Sequence, residues 1–366
     1  MGTLTDGTFR LMALCAQRPG SASIAQRLPS ALAAVPSFAG LRTRAVQYGM
    51  EPLVLAHIER TGLAIPADLR ARLQARQTQH AHAASVRTKM IADVAGAMAR
   101  ARVPFLVLKG AALAHLVYED VRLRPMRDVD VLIRKADIGG ALDVLTRSGF
   151  RPSGVAVHPR DHHLRGMAKT KEGVTVTIEL HHELMARTPF VEPRRYEDLI
   201  HRSQPFEWDG VTFQTLGCED MLWHVYAHAF VINTRLPGAT RLLSVADLVH
   251  VTEAWIDRID WAQLGKRRGH LLRALHVLHH LVPWSPRVAE VLVAQGERPA
   301  AAAGARPIAS DPHWPSALVP VALWPPEWWF RMRYGVTARP RWLWFRAVGH
   351  PAHLALSAGR AVMTRH

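Results

Sequence analysis

One short segment constrains this chain more than any other, because it alternates apolar and acidic residues with a period of two. In RDVDVLIR (127–134), Val129, Val131 and Ile133 fall on one side, and Asp128, Asp130 and Leu132 on the other. That spacing predicts a strand with one apolar face. It sets Asp128 and Asp130 together on the opposite face, their Cα atoms about 6.6 Å apart at the usual rise of a strand. Upstream, FLVLK (105–109) is an apolar run too short for a helix and reads as a buried strand. Gly110 follows it and opens an Ala- and Leu-rich helical stretch, AALAHLVYE (111–119).

The flanking sequence supplies the remaining elements. Val86, Met90, Ile91, Val94 and Met98 recur at helical spacing over 83–99, and stretches near 8–16, 41–61 and 67–80 read the same way. No site chemistry is visible in those first hundred residues. After the acidic strand, a helix over about 136–148 should stop at Gly149. AKT (168–170) and VTVTIEL (174–180) flank a Lys-Glu-Gly turn, and FEWDGVTF (206–213) carries the Asp-Gly pair that favours a two-residue hairpin. From Gly217 to about Val282 the pattern is helical again, and beyond 297 a Trp-, Pro- and Arg-rich tail shows no clear period. The expected class is therefore α+β. Four regions are expected: an N-terminal helical region over 1–102, a small mixed-sheet core over 103–216, a C-terminal helical domain over 217–296 and the tail over 297–366.

Composition narrows the setting. With 49% hydrophobic and 21% charged residues, the chain has the balance of a globular protein and not of a disordered one. Cys15 and Cys218 are far apart and have no metal-ligand spacing, which argues against a disulfide framework and for a reducing, cytoplasmic setting. The first residues lack the pattern of a signal peptide. No stretch reaches the roughly 18 apolar residues of a membrane span, since WPSALVPVALWPPEWWF (314–330) is broken by prolines. A net charge of +16 points to polyanionic partners, although abundant Arg and Ala also fit a coding bias. Interleaved Trp and Arg in the tail suit stacking on bases or a peripheral contact with a membrane surface.

The acidic strand suggests a chemistry. Two carboxylates at that separation can bracket divalent ions about 3.5–4 Å apart, the arrangement that phosphoryl and nucleotidyl transfer use. Amides at the start of the helix after Gly110 can bind phosphate, and Lys109 adds a positive charge beside them. Arg124 and Arg127 flank the acidic strand and can clamp triphosphate oxygens. Glu179 ends an apolar strand, where a charge needs a partner such as a metal or a proton. A lone Asp-x-Asp is common in solvated loops; the ordered set of strand, small turn, helix and acidic strands is far more specific.

In these segments the chain resembles the polymerase-beta-type nucleotidyltransferase superfamily, in particular a broad bacterial branch of nucleotidyltransferase-like proteins. The shared pattern is an apolar strand ending in Lys-Gly, here LVLKGAAL (106–113). An Arg-Pro-x-x-Asp-hydrophobic-Asp segment follows, here LRPMRDVDVLI (123–133), and then an acidic strand ending in His, here IELHH (178–182). Helical segments on both sides, including LGCEDMLWHVYAHAF and RLLSVADLVH, extend the likeness over roughly 8–285. The resemblance implies a small mixed-sheet polymerase-beta-like core, with Asp128, Asp130 and Glu179 as catalytic metal ligands for Mg²⁺ or Mn²⁺. It implies a nucleoside triphosphate held by Lys109, Gly110, Arg124, Arg127 and His181. The reaction would be two-metal transfer of a nucleoside monophosphate to an unidentified acceptor: a small molecule, a peptide or protein, or an RNA.

The chain departs from the pattern at three points. Lys109-Gly110 stands where many relatives carry Gly-Ser, Glu179 is longer than Asp, and His182 replaces an aromatic residue. Histidines also gather at His158, His162 and His163, near His181 if their strands pair. Two alternatives use the same residues differently. One is a nucleotide- or nucleic-acid-binding protein without turnover. The other is a histidine-rich metal hydrolase built on His224 and His228, one helical turn apart.

Overall fold

The computed structural model of the chain describes residues 7–154, 161–186, 194–232, 242–279, 281–295, 330, 339–352 and 354–355. His158 and most of the tail beyond 297 lie outside them. The chain divides into two compact units, one made of Met1–Leu69 with Val225–His366 and the other of Arg70–His224. The first opens with five helices, α1 (Gly7–Leu14), α2 (Ala22–Ala25), α3 (Leu28–Ala33), α4 (Phe38–Tyr48) and α5 (Glu51–Thr61). The apolar stretch 41–61 thus spans two helices. Pro52 sits in the first turn of α5, where its missing N–H has no helical partner to lose.

The second unit begins on α6 (Ala67–Arg100), a single 34-residue helix. The sequence suggested two helices here, over 67–80 and 83–99. Ala81 and His82, between them, neither lack an N–H nor favour a turn, so the helix runs through. Then follow β1 (Phe105–Val107), α7 (Lys109–Leu116), β2 (Asp128–Ile133), α8 (Ile138–Arg147), β3 (Arg151–Pro152), β4 (Met167–Lys171), β5 (Val174–His181), α9 (Tyr196–Leu199), β6 (Gln204–Trp208), β7 (Val211–Thr215) and α10 (Cys218–Tyr226). The strands form one sheet in the order β3-β4-β5-β2-β1-β7-β6. β2 is antiparallel to β1 and parallel to β5, while β1 is parallel to β7, which makes the sheet mixed and the chain α+β.

Both hairpins use residues in the left-handed region. Glu172 (φ 51°) and Gly173 (φ 76°) join β4 to β5, and Asp209 (φ 53°) and Gly210 (φ 74°) join β6 to β7. Two consecutive positive φ values match the natural twist of paired strands, and Gly adopts them without a steric penalty. β2 departs from the expected one-sided strand. It lies between β1 and β5, and every residue from Val129 to Ile133 is buried, Leu132 included. Alternation marks a strand with one wet face, and a central strand covered on both sides obscures it. Only Asp128, at its leading end, is exposed.

The β7 edge is apolar. Phe213 contacts Phe105, Phe206 and Trp208 at ring-centroid distances of 6.2, 5.7 and 5.5 Å. Each fully buried ring of this kind contributes roughly 1.5–3 kcal/mol of transfer free energy. The Trp208 indole N–H is satisfied by Thr88 Oγ1 at 2.7 Å.

The helical unit resumes with a π-helical turn (Ala227–Ile232), α11 (Leu242–Ala254), α12 (Trp261–Leu278), α13 (Pro286–Ala294) and α14 (Arg339–Trp344). Gln17 ties its early and late parts together, donating to Pro283 O at 2.9 Å and Glu253 Oε1 at 3.1 Å. Among the described residues, no helix is long and apolar enough to cross a membrane.

Candidate active site

The parallel pairing of β2 with β5 builds the site. Its register sets Asp128 beside Thr177 and Asp130 beside Glu179. Residues two apart share a face and paired neighbours point the same way, so three carboxylates converge. Asp128, Thr177 and Glu179 line a cleft of about 390 Å³, together with Arg127 and His163.

Asp130 lies deepest, with 5% of its side chain exposed. Lys109 Nζ is 2.9 Å from its Oδ2, and His181 Nε2 donates to its Oδ1 at 3.0 Å. Burial alone would raise the Asp130 pKa, but the Lys109 charge and the His181 hydrogen bond hold it well below the usual carboxylate range. Burial likewise works against the Lys109 ammonium, and Asp130 overcomes it, leaving the Lys109 pKa above its ordinary value. Glu179 moves the other way. Burial pushes its pKa up, and the negative charges of Asp130 and Asp128 push in the same direction.

The turn carrying Lys109 is strained. Its φ of 24° lies in the left-handed region although it is not glycine. Such a position disfavours a residue with a Cβ by about 1–3 kcal/mol and persists only where its surroundings fix it. Here the Leu108 amide is bonded to Asp130 O at 2.9 Å and the ammonium to the Asp130 carboxylate, so one residue of β2 holds the turn twice. Gly110 has a separate reason to be small. A Cβ there would come within 2.5 Å of Arg124 Nη1, because the Arg124 guanidinium lies over it. The expected phosphate-binding residues Gly110 and Arg124 are therefore in contact with each other.

Three imidazoles stand behind the carboxylates. His163 pairs with His181 in an isolated antiparallel bridge, and the ring of His181 lies 5.2 Å from that of His163 and 5.3 Å from that of His162. Burial and the neighbouring His181 and His163 lower the His162 pKa to about 3. Burial also lowers the His181 pKa, against the opposing pull of Asp130, so its neutral ring donates from Nε2. Its buried Nδ1 has no hydrogen-bond partner among the described residues. His163 Nδ1 is 2.9 Å from Leu164 O, which can only accept, and so Nδ1 carries the donated proton.

The donor set suits a divalent ion. A carboxylate oxygen of Asp130, one of Glu179 and a ring nitrogen of His181 lie within 4.8 Å of one another, and the expected ligand Asp128 is not in that group. The mutual repulsion that raises the Glu179 pKa is what a cation would relieve. His224, in α10, and His228, in the turn after it, join no such group among the described residues.

A family profile described as an uncharacterised nucleotidyltransferase matches residues 40–284, more than half of the chain. The chain belongs to this nucleotidyltransferase family. Nucleotidyl transfer is thus its reaction class and a nucleotide its class of substrate. No curated protein matches it. Among solved structures it is similar to the antibiotic-resistance factor ANT(2″)-Ia, studied in solution, at 15% identity and a TM-score of 0.30, over 51% of this chain and 98% of that one.

The family match also covers Arg87, which the sequence reading passed over. Arg87 lies on α6 with 5% exposure and donates to Met126 O at 3.0 Å, close enough to feel the charges of Asp128 and Arg124. A charged residue on an apolar helix face was the available signal, since Arg87 falls one turn before Met90 and Ile91. It supports the loop that leads into β2.

Proposed function

We propose that the chain transfers a nucleoside monophosphate from a nucleoside triphosphate to an acceptor hydroxyl or similar nucleophile, with Mg²⁺ or Mn²⁺ as cofactor. The observation that carries this reading is the register of β2 with β5, which sets Asp128, Asp130 and Glu179 on one face of the sheet, with Asp128 and Glu179 on the wall of the cleft. Asp128, Asp130 and Glu179 would hold the divalent ion, and His181 orients Asp130 from behind through its hydrogen bond. A bound ion of this kind supplies positive charge to the phosphates as the bond to pyrophosphate breaks.

The protein's own groups account for the rest. Amides opening α7, with Arg124 and Arg127, bind and orient the triphosphate. The acceptor oxygen forms its new bond to the α-phosphorus as the α–β bridging bond breaks and pyrophosphate leaves. Glu179, on the cleft wall, takes the proton from the acceptor oxygen. The free thiols of Cys15 and Cys218 favour a reducing cytoplasm as the place of reaction.

The test is incubation of the full chain with each α-labelled nucleoside triphosphate, Mg²⁺ or Mn²⁺, and a cell extract. Label in an acceptor together with released pyrophosphate is the expected result. Absence of both with every nucleotide and either metal overturns the reading.

A further inference from the structure

We infer that the Lys109 ammonium stands in for one of the two divalent ions that an aspartate pair ordinarily holds during nucleotidyl transfer, so that this chain binds a single divalent ion. The inference rests on the reading that Asp128, Asp130 and Glu179 hold a divalent ion. It concerns how many.

To bridge two ions, the deeper aspartate must offer both of its oxygens. In this chain Oδ1 accepts a single hydrogen bond from His181 Nε2 at 3.0 Å and keeps a lone pair for one ion, whereas Oδ2 faces the Lys109 ammonium at 2.9 Å, where the charge of a second ion would otherwise lie. The Lys109 side chain is 17% exposed and is set in a turn whose backbone is bonded to the same aspartate, so it does not swing away as a surface lysine would. Its place is over-determined, as the strained φ of Lys109 shows.

Charge balance points the same way. Lys109 feels Asp130, Asp128 and Glu179 together, which makes it the common counter-ion of the carboxylates. Three carboxylates with the one ammonium paired among them leave about two negative charges, which one dication neutralises, while a second would meet the ammonium at short range. Lys109 also begins α7, beside the amides proposed to bind the triphosphate. From there the ammonium, with three donors, can neutralise phosphate charge as a second ion does elsewhere.

The experiment counts protein-bound Mn²⁺ on the full chain by electron paramagnetic resonance, with a saturating non-hydrolysable nucleoside triphosphate analogue and a protein-free control. Wild type should bind one Mn²⁺ per chain, Lys109→Met should bind two, and Lys109→Arg, which keeps the charge, should return the count to one. Circular dichroism and thermal melting establish that each variant is folded. Two ions of similar affinity in the wild type overturn the inference while leaving the metal-dependent reading intact. One ion in both wild type and a folded Lys109→Met also overturns it. No bound Mn²⁺ in any of the three removes the metal-dependent reading itself, and this inference with it. Should Lys109→Met fail to fold, the wild-type count still decides, and Lys109→Gln repeats the comparison.

Discussion

Two hairpins flank the central strands, and the same turn serves opposite ends. β4–β5 and β6–β7 each reverse through a pair of residues at positive φ, and each sends its second strand parallel to a central one, β5 beside β2 and β7 beside β1. On the β5 side the paired positions hold Asp128, Asp130 and Glu179, backed by His162, His163 and His181. On the β7 side they hold Phe105, Phe206, Trp208 and Phe213. One side buries rings and gains from leaving water. The other buries charge and stands only because Lys109 and His181 offset the desolvation of Asp130. Turn chemistry fixes register in both, and the residues brought into register decide whether a side holds the fold or carries the reaction.

The comparison breaks most visibly at the carboxylates. Asp128→Asn should reduce transfer to background with little change in the melting transition, because Asp128 is exposed. Asp130→Asn should abolish transfer too, and should also destabilise the unit by about 3–5 kcal/mol, since it strands a buried ammonium. Labelled-nucleotide turnover and urea unfolding separate the two effects. Near-normal turnover in either folded variant would strip the β5 side of its assigned role.

Phe213→Ala should do the reverse. The expected loss is about 3–5 kcal/mol of unfolding free energy, with the turnover of the folded fraction unchanged. A loss under about 1 kcal/mol would mean that the aromatic side does not hold this edge of the sheet.

Glu179→Gln sharpens the division within the acidic side. Turnover should fall about 10²-fold, near 2.7 kcal/mol of barrier, while nucleotide affinity is retained. Wild-type turnover at saturating metal would leave Asp128 and Asp130 alone and move the proton acceptor to another group.

The last effect concerns pH. His162 has a pKa of about 3 in the folded chain, against about 6.5 when unfolded. Between those values the unfolded chain binds the extra proton, so stability falls as pH drops below about 6.5. His162→Gln should flatten that slope in a series of urea unfolding curves. An unchanged slope would place the pH sensitivity elsewhere.

What the sequence disclosed was local. The acidic strand, the Lys-Gly turn and both hairpins are patterns within a few residues, and each occurs where its spacing put it. What it withheld depended on pairing between distant segments. The ion pair of Lys109 with Asp130 needs β1 and β2 aligned before it exists. Arg87 is hidden inside the apolar periodicity of α6, and its partner Met126 belongs to a loop far along the chain. His163 meets His181 through an isolated bridge that no periodicity announces. Leu132 was assigned to a polar face because alternation cannot tell which strand of a sheet will be central.

The order of segments along the chain has a consequence for synthesis. The helical unit is split, its early helices preceding Arg70–His224 and its later ones following it. Gln17 cannot reach its partners at Glu253 and Pro283 until those residues have left the ribosome. Chains emerge at about 5–20 residues per second, and domains tend to fold as units once complete. The sheet-bearing unit is therefore complete first. The leading helices meanwhile wait, with Gln17 still short of both its partners. That interval is when a nascent chain of this design is most exposed to aggregation or to capture by a chaperone.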